Sequence, residues 1–470
     1  MPSLSALKPT LTLPSLSVGG LGLPFGGRGG SNVVGLDIQP GYVAAVQARV
    51  NGGVTIERAA GAPLAPDLVR EGDVLDEQEL GNALRELFRD GRLSKRVRVG
   101  LANQRTVLRI LELPPVTDRK ELDAAVRFQA EDQVPMPLAS AVLDYHSLGV
   151  FDTPNGPRQR VIVVAAQREM VERLLRAVQH AGLRPEGIDL SAFALIRSLY
   201  RPSTPVAAEG LEGGEPAERV LYLNVGGLTN MAIAEGTVCR FTRVVGGGLE
   251  AMAGEIAERR GIPLVAARAL LAEFELPRPG AVPHQDTAPH HELPAEPAAA
   301  APVEYDAPLA GTSTLVLPDP EAVETWALAQ DPSAVPPHAA EQGHEEAPTI
   351  NLDLPPEPER PPASAGPVPR VDPEVRMVLE NGIREIVGEV RNSLDFHRSQ
   401  DGGGDVRQVV LSGPALEMPG FCEALEADLG LAVQREAVRF AEHADPHATH
   451  AISPHRLAIA TGLATEEAPR

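Results

Sequence analysis

Asp37 stands at the end of an apolar run, "NVVGLDIQPGYVAAV", where the chain enters the turn Gln39-Pro40-Gly41. An acid at a strand tip beside a glycine turn can hold a divalent cation through water or face a phosphate. It can equally cap its own turn through the backbone, and the stretch alone leaves both readings open. A second group, Asn224, Gly226, Gly227 and Thr229 in "LNVGGLTN", stands where one apolar run enters a glycine turn and the next returns from it. Gly246 and Gly247, with Gly248, open a helix and form either an anion site or a tight strand-to-helix turn. Gly413 follows a late strand in "VVLSGPA". Arg240 and Arg243 flank the Gly246 turn, as ligand contacts or as ion-paired surface groups. His443, His447, His450 and His455 lie close together, but their spacing is irregular and no acid or Cys pattern joins them, so a polar loop competes with a metal site.

These groups must be positioned by an α/β scaffold. Asn32 to Ala60 reads as strand, turn, strand, turn, strand, with strands at Val33–Ile38 and Tyr42–Val50 and a second hairpin at Gly52-Gly53. A helix is expected over Asp76–Asp90, with strands over Arg96–Leu101 and Thr106–Leu113. The segment "TDRKELDAAVRFQAEDQVPMP" predicts a helix capped by Asp118 and Glu121. Its buried stripe is Leu122, Ala125 and Val126, and Pro135 and Pro137 stop it. Two further strands, a helix at Glu169–Ala181, a strand at Pro185–Leu190 and a helix at Ala192–Tyr200 complete the first half. The strand-turn-strand-turn-strand theme then returns at Val220–Val225, Thr229–Ala234 and Val238–Val245, roughly 190 residues further on, which marks a duplication. After it come a long helix capped by Asp372 and Pro373, a strand at Val406–Leu411, a Ser412-Gly413-Pro414 turn, a helix at Phe421–Leu429 and a last helix at Pro454–Gly462.

Composition limits the function. The net charge of −22 argues against nucleic acid as the main partner, and with aromatics at only 3% the cores must rest on aliphatic side chains. Cys239 and Cys422, both in apolar surroundings, suit a reducing compartment. No apolar run approaches the ~20 residues of a membrane helix, and no secretory signal is visible. Residues 1–31 read as a flexible Gly/Pro/Ser tail, and 201–217 as a linker. From Phe274 to Arg370 the chain is dense in proline and carries about sixteen acids against three bases, so a disordered insertion is expected there.

The pieces "GLDIQPGYVAAV", "AEDQVPMPLASAVLDYHSLG", "VGGLTNMAIAEGTVCRFTRVVGGG", "EVRNSLDFHRS" and "VVLSGPALEMPGF" together resemble the PilM family of type IV pilus assembly proteins, relatives of FtsA in the actin-like ATPase superfamily. The order holds from about residue 32 to 463. The resemblance implies a two-lobed, duplicated ribonuclease H-like α/β fold. Its first lobe, 32–200, includes a small α/β subdomain at about 96–184. Its second comprises 218–273 and 371–438 around the insertion, and 439–470 returns to the first lobe. ATP and magnesium are the implied cofactors. Asp37 would act through a Mg-bound water, and Gln39, Gly41, Asn224, Gly226, Gly227, Thr229, Gly246, Gly247 and Gly413 would surround the nucleotide.

The pattern departs from the family at this site. Gln39-Pro40-Gly41 and Ala44 replace a Gly-Ser-Ser turn and a following Lys, and Asn224 replaces an Asp. "SGPA" keeps one glycine of several, and "AARALL" after Gly261 lacks the usual Ala-Glu pair and Lys. Weak nucleotide binding and negligible hydrolysis are therefore expected. The implied function is a cytoplasmic adaptor, peripheral to the inner membrane face, that holds the N-terminal peptide of PilN within the pilus inner-membrane assembly complex. A phosphotransferase and an FtsA-like filament are the alternatives on the same fold. "TINLDLPPE", from Thr349 to Glu357, resembles the PilN peptide, which would allow self-association through Thr349–Pro355. Since closing a long flexible loop costs only a few kcal/mol more than a short one, deleting Phe274–Arg370 is expected to leave the fold intact, as read by circular dichroism and thermal unfolding. A protease-resistant insertion in the full chain would contradict this.

Overall fold

The computed structural model describes residues 33–50, 54–201, 218–276, 372–400, 403–438 and 452–465. The expected tail, linker, most of the insertion with Thr349–Glu357, the Gly52-Gly53 turn and three of the four clustered histidines lie outside these residues.

The first lobe begins with a meander of β1 (Val34–Gln39), β2 (Tyr42–Val50) and β3 (Val54–Pro63). A small hairpin, β4 (Val69–Arg70) and β5 (Asp73–Val74), leads to α1 (Glu77–Asp90), whose N-cap Asp76 accepts from the amides of Gln78 and Glu79. Next come β6 (Arg96–Leu101), β7 (Thr106–Leu113), α2 (Arg119–Gln133), β8 (Ala141–Thr153), β9 (Gly156–Gln167), α3 (Arg168–His180), β10 (Arg184–Leu190) and α4 (Ser191–Leu199). Asp118 caps α2 through the amides of Lys120 and Glu121, and the helix ends two residues before Pro135 because the residue preceding a proline is driven to extended backbone. The second lobe contains β11 (Arg219–Val225), β12 (Thr229–Glu235), β13 (Val238–Val245), α5 (Leu249–Arg260), α6 (Leu264–Glu273) and α7 (Pro373–Ser399). It continues with β14 (Gln408–Ser412), α8 (Phe421–Leu429) and β15 (Ala432–Arg435), and α9 (Ala458–Ala464) closes the described chain.

The duplication is explicit in the sheets. The first runs β10-β6-β1-β2-β3 and the second β15-β14-β11-β12-β13. In each, an antiparallel meander is extended on its first strand by two parallel strands. A separate sheet, β7-β9-β8, is covered on one face by α2 through Val126 and Ala130, which pack with Leu111, Val161 and Val163. This inserted unit spans 106–167, narrower than the 96–184 expected. β6 pairs in parallel with β1 and β10, so it belongs to the first sheet instead.

Other boundaries shift for local reasons. Ser412 completes β14, and Pro414–Glu417 forms a 3-10 turn after Gly413. The last helix divides into a 3-10 turn at Pro454–Leu457 and α9. Phe274 and Leu276 are buried in the second-lobe core, and the Leu276 amide donates to the Pro419 carbonyl at 3.0 Å, so a deletion that spares the fold must start after Leu276. The cap at Asp372 and the apolar stripe of α7 from Val375 to Leu394 are as expected.

α9 lies against β1 so closely that a Cβ at Gly35 would stand 1.9 Å from the Ala460 carbonyl oxygen. A buried ion pair secures this contact. Arg197 of α4 pairs with Asp189 of β10, and its Nε donates to the Gly462 carbonyl at 3.0 Å; both side chains are 4% exposed. Removing one partner leaves the other charge buried and uncompensated. Arg197→Met is expected to cost about 3–5 kcal/mol in urea denaturation. The double change with Asp189→Asn should lose less; equal losses would show that the uncompensated charge is not the cause.

Candidate functional site

The first hairpin turn sits at the end of β1 and faces the second sheet. Asp37 is 1% exposed, and its Oδ2 accepts from Gln39 Nε2 at 2.8 Å. Burial pushes the carboxyl up to about 7, while the Gln39 hydrogen bond pulls it down. Gln39 is itself fully buried, and its Oε1 has no partner. Beside it the buried Tyr42 phenol is raised by desolvation and by the Asp37 charge.

The second turn lies directly opposite. Asn224 of β11 aligns with Asn230 of β12 and Ser412 of β14, and its Nδ2 donates to Ser412 Oγ at 3.0 Å. Asn224 Oδ1, Thr229 Oγ1 and both amide atoms of Asn230 are buried without partners. Gly226 and Gly227 press on the first turn. A Cβ at Gly227 would stand 2.0 Å from the Pro40 carbonyl oxygen, and one at Gly226 2.4 Å from Gln39 Oε1. Behind them, Gly248 stacks on the Gly226 and Gly227 carbonyls, and the Leu249 amide donates to Gly226 O at 2.8 Å. The start of α5 is thus a strand-to-helix turn with that donor already engaged. Gly413, at φ 100°, lies against the Val225 backbone.

Of the residues the sequence singled out, Asp37, Gln39, Gly41, Gly226 and Gly227 meet in the cleft, with Asn224, Thr229 and Gly413 immediately behind on the second sheet. Gly246 and Gly247 face Gln104 and Glu385 instead. Arg240 and Arg243 are ion-paired, to Glu235 at 3.2 Å and Glu389 at 2.7 Å. Cys239 and Cys422 are buried free thiols.

A cavity of about 470 Å³ opens beside the turns, within the usual range for small ligands. Tyr42, Leu249, Leu271, Met418 and Ile452 make its apolar walls. Two ion pairs border it. Arg268 of α6 holds Glu250 at 2.9 Å and donates to the first-lobe Leu64 carbonyl at 2.8 Å. Arg456 holds Glu417 at 2.7 Å. Sequence reasoning passed over all four; the signal available was the Arg within "AARALL" and the acid in the first turn of α5.

Between the turns the Gln39 side chain and the Pro40 backbone fill the space, and Asp37 is sealed behind them. In this geometry the residues present do not fit a triphosphate with its magnesium ion. Among the described residues no group of three or more His, Cys, Asp or Glu could hold a metal ion.

Two copies of one sheet topology, facing across a glycine-lined cleft with a small extra subdomain in the first lobe, define an actin-like α/β protein. Residues 35–279 match the family described as type IV pilus assembly protein PilM, and the chain belongs to that family. Among solved structures it is similar to one of a PilM-PilN type IV pilus biogenesis complex. That match has 20% identity, covers 92% of this chain and 97% of the other, and has a TM-score of 0.60. It also matches the ethanolamine utilization protein EutJ of Carboxydothermus hydrogenoformans at 13% identity, covering 92% and 88%, with a TM-score of 0.41. MreB5 of Spiroplasma citri matches at 11% identity, covering 92% and 94%, with a TM-score of 0.38.

Asp37 keeps its proton up to about pH 7 when folded and releases it near 3.8 when unfolded. Its contribution to stability is therefore fullest below pH 3.8, falls as the pH rises from about 4 to about 7, and is flat above. Asp37→Asn, which keeps an acceptor for Gln39, is expected to flatten that fall in denaturation curves taken at pH 5 and pH 8. An unchanged pH dependence would show that Asp37 titrates normally.

Proposed function

We propose that this chain acts in pilus assembly as a non-enzymatic binding protein. In this reading it is cytoplasmic, lies at the inner face of the membrane, and holds the N-terminal peptide of a PilN-type membrane partner within the assembly complex. The observation that carries the reading is the sealing of Asp37. The cleft acid best placed to orient a metal ion or water lies behind Gln39, 1% exposed, and Asn224 supplies no charge opposite it. A phosphotransferase needs an acid or metal at the transferred group. Family membership supports the pilus role, and the PilN assignment rests on the fold shared with a protein of a PilM-PilN complex. Attachment through a partner is compatible with the finding that no described helix is long and apolar enough to cross a membrane.

Isothermal titration with a synthetic PilN N-terminal peptide and its scrambled control tests the partner, and a phosphate-release assay tests the chemistry. Saturable binding of the native peptide alone is expected, with release indistinguishable from the blank. Turnover on the order of 1 per second, abolished by Asp37→Ala, would make the chain an enzyme, and absence of peptide binding would remove the adaptor.

A further inference from the structure

We propose that Gln39 and Pro40 form a built-in plug between the lobes, so that the chain itself, and not a nucleotide, fixes their closure. This deepens the non-enzymatic reading and rests on it. The Gln39 amide engages both sides of the cleft. Its Nε2 donates to Asp37 on the first sheet, and its Oε1 is turned against Gly226 of the second-lobe turn. Pro40 brings its carbonyl onto Gly227 at a separation that leaves no room for a side chain. As a proline it also removes one backbone N–H from a turn that would otherwise offer donors to an anion. Tyr42 stands over the same turn, its Oη 3.3 Å from a Cβ placed at Gly226.

The closure is braced from the cavity side. Arg268, rooted in α6, reaches across to the Leu64 carbonyl of the first lobe. Arg456, in the segment that packs on β3 through Ile452 and Gly61, holds Glu417 beside the Gly413 turn. Both bridges join one lobe to the other, and neither requires a ligand. A nucleotide competing for the space between the turns would have to displace Gln39 and expose Asp37.

The test uses the full chain. Wild type is expected to show no change in Tm with millimolar Mg-ATP or Mg-ADP. The double variant Gln39→Ser with Pro40→Ser, which shortens the side chain and restores an N–H, is expected to gain a nucleotide-dependent rise of several degrees. Spin labels at Asp90→Cys and Glu258→Cys, exposed on α1 and α5, report the distance between the lobes; in the otherwise wild-type chain it should not move when Mg-ATP is added. Gly227→Ala, which drives a methyl into the Pro40 carbonyl, should broaden or lengthen that distance. A nucleotide-dependent Tm rise or distance change in wild type overturns the plug. So does a folded double variant that gains nothing. If the double variant does not fold, the wild-type distance measurement still decides. PilN-peptide affinity, read in parallel, reports on the adaptor separately: its loss with an intact plug removes the partner and leaves the closure standing.

Discussion

A nine-residue helix with no exposed side holds the two lobes together. Every residue of α4 from Ser191 to Leu199 is buried. One side of the helix packs on β6 and β10 of the first sheet, the other on β11, β12 and β13 of the second. Ala232, Ala234, Cys239, Tyr222 and Val410, all from the second sheet, therefore join the hydrophobic core of the first lobe. Small side chains on β12 let the helix approach closely, and two of its polar members are answered locally: Ser198 Oγ donates to Leu195 O, and Arg197 meets Asp189. The lobes thus share a core, and their relative placement inherits the rigidity of close packing.

Against that rigid background the cleft carries an unusual density of unanswered polar atoms. Gln39 Oε1, Asn224 Oδ1, Thr229 Oγ1 and both ends of the Asn230 amide are buried without partners. Each such atom costs about 1–3 kcal/mol relative to a paired one. The second sheet's apolar outer face, packed under α5, α6, α7 and α8 through Leu221, Leu223, Met231, Ile233 and Leu411, supplies the stabilisation that makes this tolerable.

Much of the scaffold was legible in the sequence. Arg96–Leu101, Thr106–Leu113, Tyr42–Val50, Val238–Val245 and Phe421–Leu429 fall on the expected residues, because each is an apolar pattern bounded by turn or capping residues. The duplication was visible for the same reason. β15 was not: its four residues are mostly exposed, so no apolar period announces an edge strand. The unusual composition of the first turn, Gln39 and Pro40, was legible, but its contact with Gly226 and Gly227 was not. Closure is a contact between turns from opposite halves of the chain, and local pattern does not encode a through-space distance. The Glu250–Arg268 and Glu417–Arg456 pairs escaped for that reason too. α2 shows a further limit: its amphipathic pattern predicts a buried stripe but not that Phe128, on the same helix, is 74% exposed.

The seat of α9 on β1 also sets an order of events during synthesis. Gly35 and Gly462 allow backbone-to-backbone approach between that helix and the elements beneath it, with Ala194 of α4 below Gly462 and Ala460 above Gly35. The strand is made near the start of the chain and the helix near residue 460. At about 5–20 residues per second, some 400 residues of translation separate them by roughly twenty to eighty seconds. Once β10 has been made at residue 190, the first sheet has its strands but still lacks the helix that covers β1, and Arg197, made soon after, lacks the Gly462 carbonyl. The first-made lobe is therefore the last to be finished, and a nascent chain stalled anywhere before α9 presents an apolar sheet face to whatever chaperone or membrane it meets.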